Sequence, residues 1–361
     1  MQAVGANFYE QTKSARKIIV VDLGFLGDSV HLVPALWEIK RHYPAAQLHT
    51  LSAAVGAELL GLAPCVDRAW AFPLTPQSPA WWRHWDIIGA LRREKYDAAF
   101  NFSGSDRTIF LTALTGAKWQ LAQEGGRRHF WNRWVIGNWV PRQGRDLPVY
   151  AQRRNVLAAA GFSLEPPRFD LRVPEKARES AAANIPANAI HLSINASTPL
   201  KEWPLENWVE LARMILESDP AVQLVATAAA NARESERLDR LGDAVPDARL
   251  LCLPGLSLGQ LAALLQRCRL HLGADSGVLH LAVALGVSTF TLFRKYPGLK
   301  EWLPPATLQH KFLAAGCRCI ETGRNECQAR GGAECLASIS VTEVFDAIRP
   351  LWPISAQHLK L

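Results

Sequence analysis

Long hydrophobic runs are absent from the sequence. None approaches the roughly 18 consecutive apolar residues that a membrane-spanning helix needs. The N-terminus also lacks a basic region followed by an apolar region, the pattern of a secretory signal peptide. From these two absences we expect a cytoplasmic protein rather than an integral membrane protein or a secreted one.

Several binding signatures are missing as well. The glycines after the first predicted strand are spaced Gly24-x-x-Gly27, which is not the G-x-G-x-x-G fingerprint of nicotinamide dinucleotide sites. No helix-turn-helix, zinc-finger or RRM signature is present, so nucleic acid is not an expected partner. What is present is a net charge of +7, from 40 basic and 33 acidic residues. This charge suits a phosphate-bearing ligand or an anionic membrane surface.

The length predicts two domains, because 361 residues exceed what one hydrophobic core usually serves. Strand-like runs alternate with helix-like stretches from the continuously apolar Lys17–Val21 onwards, which indicates parallel sheets with helical crossovers. A proline-bearing stretch at residues 166–174 interrupts this rhythm, which then restarts. We therefore predict α/β domains at residues 1–170 and 171–361. Further strands are predicted at residues 47–52, 98–102, 190–195, 222–226, 249–253, 268–272 and 288–293.

Polar residues gather where strands end in the first half. Asp28, in Leu26-Gly27-Asp28, stands where the turn after the first strand passes into a predicted helix. It is interpreted either as a ligand-facing carboxylate or as the N-cap of that helix. Ser103 and Arg107 belong to a second polar loop, after the strand at residues 98–102, and should open on the same sheet edge.

Residues 125–154 interleave basic residues with tryptophans. Arginine presents a planar fork to carboxylates and phosphates, and tryptophan prefers the membrane–water boundary. The segment therefore predicts a surface for an acidic amphiphile, with a solvated basic face and a nucleic-acid patch as the alternatives. Its members are Arg127, Arg128, His129, Arg133, Arg142, Arg145, Arg153 and Arg154 with Trp131, Trp134 and Trp139.

A long polar loop in the second half contains Ser197, Thr198 and Lys201, after the strand predicted at residues 190–195. Two hydroxyls and an amine can bind phosphate oxygens without a metal. A surface lysine on a loop often has no such role. Here its place at a strand end favours an anion site.

A second candidate anion site begins at Asp275-Ser276-Gly277, which joins a strand to a helix. The first backbone N–H groups of a helix attract anions. His280 lies on the same helix face as Ser276, four residues further on. An ordinary strand–helix turn with a hydrogen-bonded histidine is the alternative.

Seven cysteines in a chain without a secretion signal argue against a disulfide framework. Four of them, Cys317, Cys319, Cys327 and Cys335, fall within one short segment. Four thiolates can form a tetrahedral zinc or iron site, although Cys-x-Cys is an unusual spacing for one. A structural metal, free thiols and a facultative disulfide are the alternative interpretations.

Three of these motifs, in this order, resemble glycosyltransferase family 9, the ADP-heptose:lipopolysaccharide heptosyltransferases of Gram-negative bacteria. They are Leu26-Gly27-Asp28, the Lys-x-Trp-Pro block from Lys201 to Pro204, and Asp-Ser-Gly-x-x-His-x-Ala from Asp275 to Ala282. The resemblance extends over nearly the whole chain from Lys17. The chain departs from the family pattern at Asp22, where members commonly carry Arg or Lys, and at residues 293–296, where members have a phenylalanine–glycine turn.

The resemblance implies a GT-B fold, with two Rossmann-like α/β domains facing each other across a cleft. The first domain is then expected to bind the acceptor and the second the nucleotide sugar, with the four-cysteine segment 317–335 in the second domain and a C-terminal helix crossing back to the first. The implied reaction is the inverting, metal-independent transfer of heptose from ADP-heptose to a lipopolysaccharide core acceptor, a Kdo- or heptose-bearing lipid A. No cofactor is needed for it, and the acceptor, an anionic glycolipid, would bring the protein to the inner face of the inner membrane.

The same resemblance assigns residues to roles. Asp28 matches the general base, and Lys201 is the second catalytic candidate because it meets the charge of the leaving ADP. The donor-binding candidates are Ser197, Thr198, Lys201, Glu234, Asp275, Ser276, Gly277 and His280, with Glu234 on the adenosine ribose. The acceptor-binding candidates are Gly27, Ser103, Arg107, Arg127, Arg128, His129 and Arg133. The alternatives are a same-fold transferase with another nucleotide sugar or a protein (autotransporter) acceptor, and a non-catalytic nucleotide- or lipid-binding module.

Overall fold

The computed structural model describes residues 7–73, 84–125, 135–142, 144, 146–305, 307, 309–323, 327 and 331–351. The chain divides into two compact units. The first unit comprises Met1–Arg172 and Lys300–Trp302, and the second comprises Val173–Leu299 and Leu303–Leu361. Among the described residues, no helix has both the length and the apolar character needed to cross a membrane.

The first unit is built on a sheet of six parallel strands. Its strands are β1 (Lys17–Val21), β2 (Gln47–Ala53), β3 (Arg68–Phe72), β4 (Ala98–Asn101), β5 (Trp119–Gln123) and β6 (Asn138–Val140). Its helices include α1 (Phe8–Thr12), α2 (Leu26–His42), α3 (Ala54–Leu60), α4 (Trp85–Arg93), α5 (Asp106–Leu114) and α6 (Val149–Ala159). The strand order is β3-β2-β1-β4-β5-β6. The middle strands β1 and β4 are almost entirely buried, as their continuously apolar sequences require.

The second unit repeats this architecture. Its strands are β7 (Ala189–Ser193), β8 (Leu224–Ala228), β9 (Leu250–Pro254), β10 (Cys268–Ala274), β11 (Ser288–Arg294) and β12 (His310–Ala315). Its helices include α7 (Glu175–Asn184), α8 (Leu205–Ser218), α9 (Ala232–Ala244), α10 (Leu258–Arg267), α11 (Gly277–Ala284), α12 (Leu299–Trp302, shared with the first unit), α13 (Arg318–Thr322), α14 (Glu334–Ala337) and α15 (Val341–Ile348). The strand order is β12-β11-β10-β7-β8-β9, again all parallel.

The strand order reverses in the middle of each sheet, between β1 and β4 in one and between β7 and β10 in the other. In open α/β sheets, ligands bind outside the carboxyl ends of the strands at such a point. The predicted site loops lie there: Asp22 to Asp28 after β1, Ser103 to Arg107 after β4, Ser197 to Lys201 after β7, and Asp275 to Gly277 after β10.

The predicted pair of Rossmann-like α/β domains with parallel sheets is confirmed. One helix start differs from the prediction: α2 begins at Leu26, which places Asp28 inside its first turn. Helix α15 packs against α8 of its own unit. The prediction that a C-terminal helix crosses back stays a prediction, because residues 352–361 lie outside the described residues.

Candidate functional site

Two carboxylates and one guanidinium meet at the carboxyl end of β1. Arg153 reaches from α6, and its Nη2 lies 2.8 Å from Asp22 Oδ2 and 3.5 Å from Asp28 Oδ1. Its Nη1 donates a hydrogen bond to the backbone carbonyl of Asp28. The backbone N–H groups of Gly24 and Phe25 donate to Asp22 and Asp28, at 2.9 Å each. The carboxylates are therefore held both by the turn after β1 and by helix α6.

Gly24 permits the close approach of this turn to Asp28. A Cβ added at Gly24 would lie 2.3 Å from Asp28 Cβ, well inside the closest contact that two carbon atoms tolerate. Any other residue would therefore displace the carboxylate. A glycine is required at position 24, because only a residue without a side chain lets the turn pack against Asp28.

Burial raises the pKa of Asp28 above the ordinary value of an aspartate. The positive charge of Arg153 opposes this shift, and the negative charge of Asp22 adds to it. Asp22 is almost completely buried, whereas a quarter of the Asp28 side chain is exposed. A carboxylate with a raised pKa and an accessible oxygen can take a proton from a hydroxyl group.

A cavity of about 530 Å³ opens beside Asp28 within the first unit. Its lining includes Ser103, Ser105, Arg107, Arg142, Gln152, Arg153, Glu301 and Trp302. Gln152 Nε2 donates to Glu301 Oε2 at 3.0 Å, and Arg142 Nη2 lies 3.6 Å from the same oxygen. Cations, hydroxyls and carboxylates around one cavity suit a hydroxylated, negatively charged ligand.

Two of the predicted acceptor-binding residues, Ser103 and Arg107, line this cavity. Gly27 is buried in the first turn of α2, next to Asp28. The predicted residues Arg127, Arg128, His129 and Arg133 lie outside the described residues, so their roles stay predictions. Sequence reasoning did not select Gln152 or Glu301, which no local motif distinguishes.

The prediction that Arg154 belongs to the basic surface of residues 125–154 is wrong. This side chain is nearly buried, and its Nη2 donates to Glu38 Oε1 of α2 at 2.7 Å. Arg153, the preceding residue on α6, lines the cavity but is paired with Asp22. Consecutive helix residues point to different sides, so each arginine neutralises a different carboxylate inside the unit.

In the second unit, Lys201 and Asp275 form an ion pair between the loops after β7 and β10. Lys201 Nζ lies 2.7 Å from Asp275 Oδ2, and the Tyr296 hydroxyl donates to the same oxygen at 3.4 Å. The lysine side chain is 28% exposed and that of the aspartate 9%. Asp275 thus holds the amine at the strand ends, with one side open to a ligand.

The N-terminus of α11 adjoins this pair. Ser276 occupies the N-cap position, but its hydroxyl makes no capping hydrogen bond and has no partner among the described residues. The first N–H groups of α11, starting at Gly277, can therefore bind an anion. Burial lowers the pKa of His280 to about 4, so it presents a neutral imidazole near Asp275 and Lys201.

The loop after β7 is held in place by Glu202, which is buried. Its Oε1 accepts hydrogen bonds from the Ala196 backbone N–H at 2.9 Å and from Arg233 Nη1 at 2.6 Å. Thr198 Oγ1 accepts from the Leu200 N–H at 3.1 Å, whereas Ser197 is exposed. The loop thus has a fixed backbone and an exposed serine.

Glu234, the predicted ribose ligand, lies in the first turn of α9 at the carboxyl end of β8. Its Oε2 accepts from the Ala229 N–H at 3.0 Å, and its Oε1 lies 3.7 Å from Arg233 Nη2. Both oxygens have protein partners, and the ribose role stays a prediction.

The structure does not support a metal at the four cysteines. Within the described ranges, no group of three or more His, Cys, Asp and Glu side chains is arranged to hold an ion. Cys319 Sγ instead accepts a hydrogen bond from the Cys327 backbone N–H at 3.4 Å. Burial and the neighbouring Cys317 raise the pKa of Cys335 to about 11. A structural metal at these four cysteines is therefore unsupported among the described residues.

Comparisons with known proteins identify the family to which the chain belongs. Residues 84–328, more than half of the chain, match the family model described as glycosyltransferase family 9 (heptosyltransferase). Lipopolysaccharide heptosyltransferase 1 of Pseudomonas aeruginosa is 28% identical over 297 residues, which cover 77% of this chain and 78% of that protein.

Solved structures share the fold. The heptosyltransferase WaaC of E. coli with ADP superposes with a TM-score of 0.70 at 18% identity, covering 92% of this chain and 97% of that one. A family 9 glycosyltransferase from Veillonella parvula gives 0.74 at 18% identity, covering 97% and 99%. With the two parallel sheets, these likenesses confirm the predicted GT-B fold.

Proposed function

The chain belongs to glycosyltransferase family 9, the heptosyltransferase family, and from this we propose that it transfers a heptose from ADP-heptose to a hydroxyl of a lipopolysaccharide core acceptor. That it is a glycosyltransferase follows from the family. The donor and the acceptor are part of the proposal. Relatives named lipopolysaccharide heptosyltransferase and a similar structure determined with ADP support them.

The observation that carries the proposal is the carboxylate of Asp28, buried enough to have a raised pKa and lining a cavity with basic and hydroxyl groups. The acceptor hydroxyl oxygen attacks the anomeric carbon of the heptose, and its proton passes to Asp28. The bond from that carbon to the diphosphate oxygen breaks, and ADP leaves with the bonding electrons. Attack opposite the leaving group inverts the anomeric configuration.

The leaving diphosphate needs positive groups, and Lys201 and the first N–H groups of α11 are the candidates. We assign Ser197, Thr198, Ser276, Gly277 and His280 to the same donor site, and Asp275 to holding Lys201. Such a site requires no metal, which supports metal-independent transfer.

The acceptor site is proposed to be the cavity beside Asp28. Arg107 and Arg142 offer charge to the acidic sugars of a Kdo-bearing acceptor, and Ser103 and Gln152 offer hydrogen bonds to neutral hydroxyls. An acceptor anchored in lipid would place the enzyme at the membrane surface.

The purified protein is expected to release ADP and elongate Kdo-lipid A, or its heptosylated form, when given ADP-heptose. ADP release and the mass of the glycolipid measure the reaction, with lipopolysaccharides truncated at successive core sugars as acceptors. UDP- and GDP-sugars serve as donor controls. Failure with every truncated acceptor, or faster turnover with a UDP- or GDP-sugar, would refute the assigned substrates.

Metal removal is expected to leave the rate unchanged, because the leaving charge is met by protein groups. Initial rates are compared in EDTA, after dialysis, and after adding back Mg²⁺ or Mn²⁺. A loss of more than about tenfold in EDTA that a divalent ion reverses would contradict metal independence, since that size is within what Lewis-acid assistance supplies.

A further inference from the structure

Arg153 occupies an unusual position in the first unit, between a buried carboxylate and the proposed base. Its guanidinium is 2.8 Å from Asp22 and 3.5 Å from Asp28, and it also donates to the Asp28 carbonyl. Its side chain is 6% exposed. A guanidinium has several donors in one plane, so it can hold both the side chain and the backbone of a single residue.

Asp22 explains why Arg153 stays in this place. Its side chain is 2% exposed, and a buried carboxylate without a cation is strongly disfavoured. One of its oxygens accepts the Gly24 N–H and the other faces Arg153. The shorter contact goes to Asp22 and the longer one to Asp28, so the charge of Arg153 is shared unequally and offsets that of Asp28 only in part.

Among the described residues, the charges in closest contact with Asp28 come from α6 and from the β1–α2 loop. Helix α2 carries it, α6 contributes Arg153, and the β1–α2 loop contributes Asp22. The titratable residue of the adjoining α3 is Glu58, which is exposed. Within the described part of the chain, the other charged groups of the cavity wall are Arg107, Glu124, Arg142 and Glu301, and the titratable His31 lies one turn after Asp28 on α2.

We propose that Arg153, held by Asp22, is a positioning residue that orients Asp28 and sets the pH range in which Asp28 can act as a base. The inference rests on the proposed function, because it assigns that role to Asp28. Helix α6 thereby contributes the cation beside the proposed base.

Arg153→Met removes the cation, so the pKa of Asp28 is expected to rise and the acid limb of kcat/KM to move to higher pH. A move of about one pH unit changes the ionised fraction of Asp28 tenfold on the acid side. Asp22→Asn removes a negative charge, so the limb is expected to move to lower pH. Opposite shifts from two partners of one ion pair would not arise from loss of packing alone.

A relocated charge provides the rescue. In Asp22→Lys with Arg153→Met, the cation approaches Asp28 from the β1 side, and the acid limb is expected to return toward that of the wild type. Arg154→Met is the matched control, since it breaks a buried arginine–carboxylate pair on the same helix with Glu38 as the partner. Arg154→Met is expected to lower the melting temperature without shifting the acid limb of the kcat/KM profile.

A direct titration separates this inference from the proposed function. The carboxyl carbon of Asp28 is followed by NMR in ¹³C-aspartate-labelled protein without substrate, and assigned with Asp28→Asn. A raised midpoint in Arg153→Met supports the inference whatever the substrates are. An unmoved midpoint in that folded variant, or the same shift in Arg154→Met, would overturn it. A raised midpoint with an unmoved kcat/KM limb would reject Asp28 as the base and keep the role of Arg153 in its ionisation.

Discussion

Asp28→Asn is expected to lower kcat by about a hundredfold to ten-thousandfold, the usual contribution of a general base. The amide is nearly isosteric with the carboxylate and can still accept the Phe25 N–H, so the first turn of α2 should keep its structure. It cannot take a proton from the acceptor hydroxyl. Affinity for the donor should change little, because the donor-binding candidates belong to the second unit.

The measurements are single-turnover rates with a saturating acceptor and calorimetric binding of the donor. Asp106→Asn is the matched control: Asp106 is the first-turn aspartate of α5, follows the neighbouring strand β4, and is exposed. Wild-type turnover in Asp28→Asn would remove Asp28 as the base. An equal loss in Asp106→Asn would point to a general charge effect.

The interior strands of both sheets, with the exception of β5, were predictable because they are buried on both faces. β1 is apolar after Lys17, whereas β7 and β10 are apolar runs interrupted by the buried His191 and His271. Their predicted positions agree with the observed ones to within two residues. The strands that sequence reasoning missed, β3, β6 and β12, are sheet edges, and β5 lies next to one. An edge strand is covered by fewer neighbours and accepts polar residues, so its sequence differs little from that of a loop.

For the site, what could be predicted depends on whether a feature is local in the sequence or joins distant positions. Asp28 and Ser276 could be selected as candidates because a strand end and the start of a helix are encoded in a few consecutive residues. The contact between Arg153 and Asp28 joins positions 125 residues apart and depends on how α6 packs on α2. One signal was present: the family resemblance leads us to expect a cation where the chain has Asp22, and a buried carboxylate at a strand end requires a cation from elsewhere.

Lys201→Met is expected to lower kcat by about a hundredfold to a thousandfold, the size measured when one group that stabilises developing charge is removed. The pairing with Asp275 complicates this variant. Without the amine, a nearly buried carboxylate loses its partner, which costs about 1 to 3 kcal/mol of stability and repels the diphosphate. A loss of activity in the single variant could therefore reflect Asp275 alone.

Lys201→Met combined with Asp275→Asn separates the two effects. The double variant has no unpaired charge, so its melting temperature and its affinity for ADP should recover toward the wild type. Its kcat should stay low, because the group that meets the leaving charge is still missing. Lys176→Met, at an exposed position of the same unit, is the control for the single variant Lys201→Met, because it changes the net charge by the same amount. Recovery of kcat in the double variant would show that Lys201 serves only to neutralise Asp275, and the leaving charge would then have to be met by the N-terminus of α11.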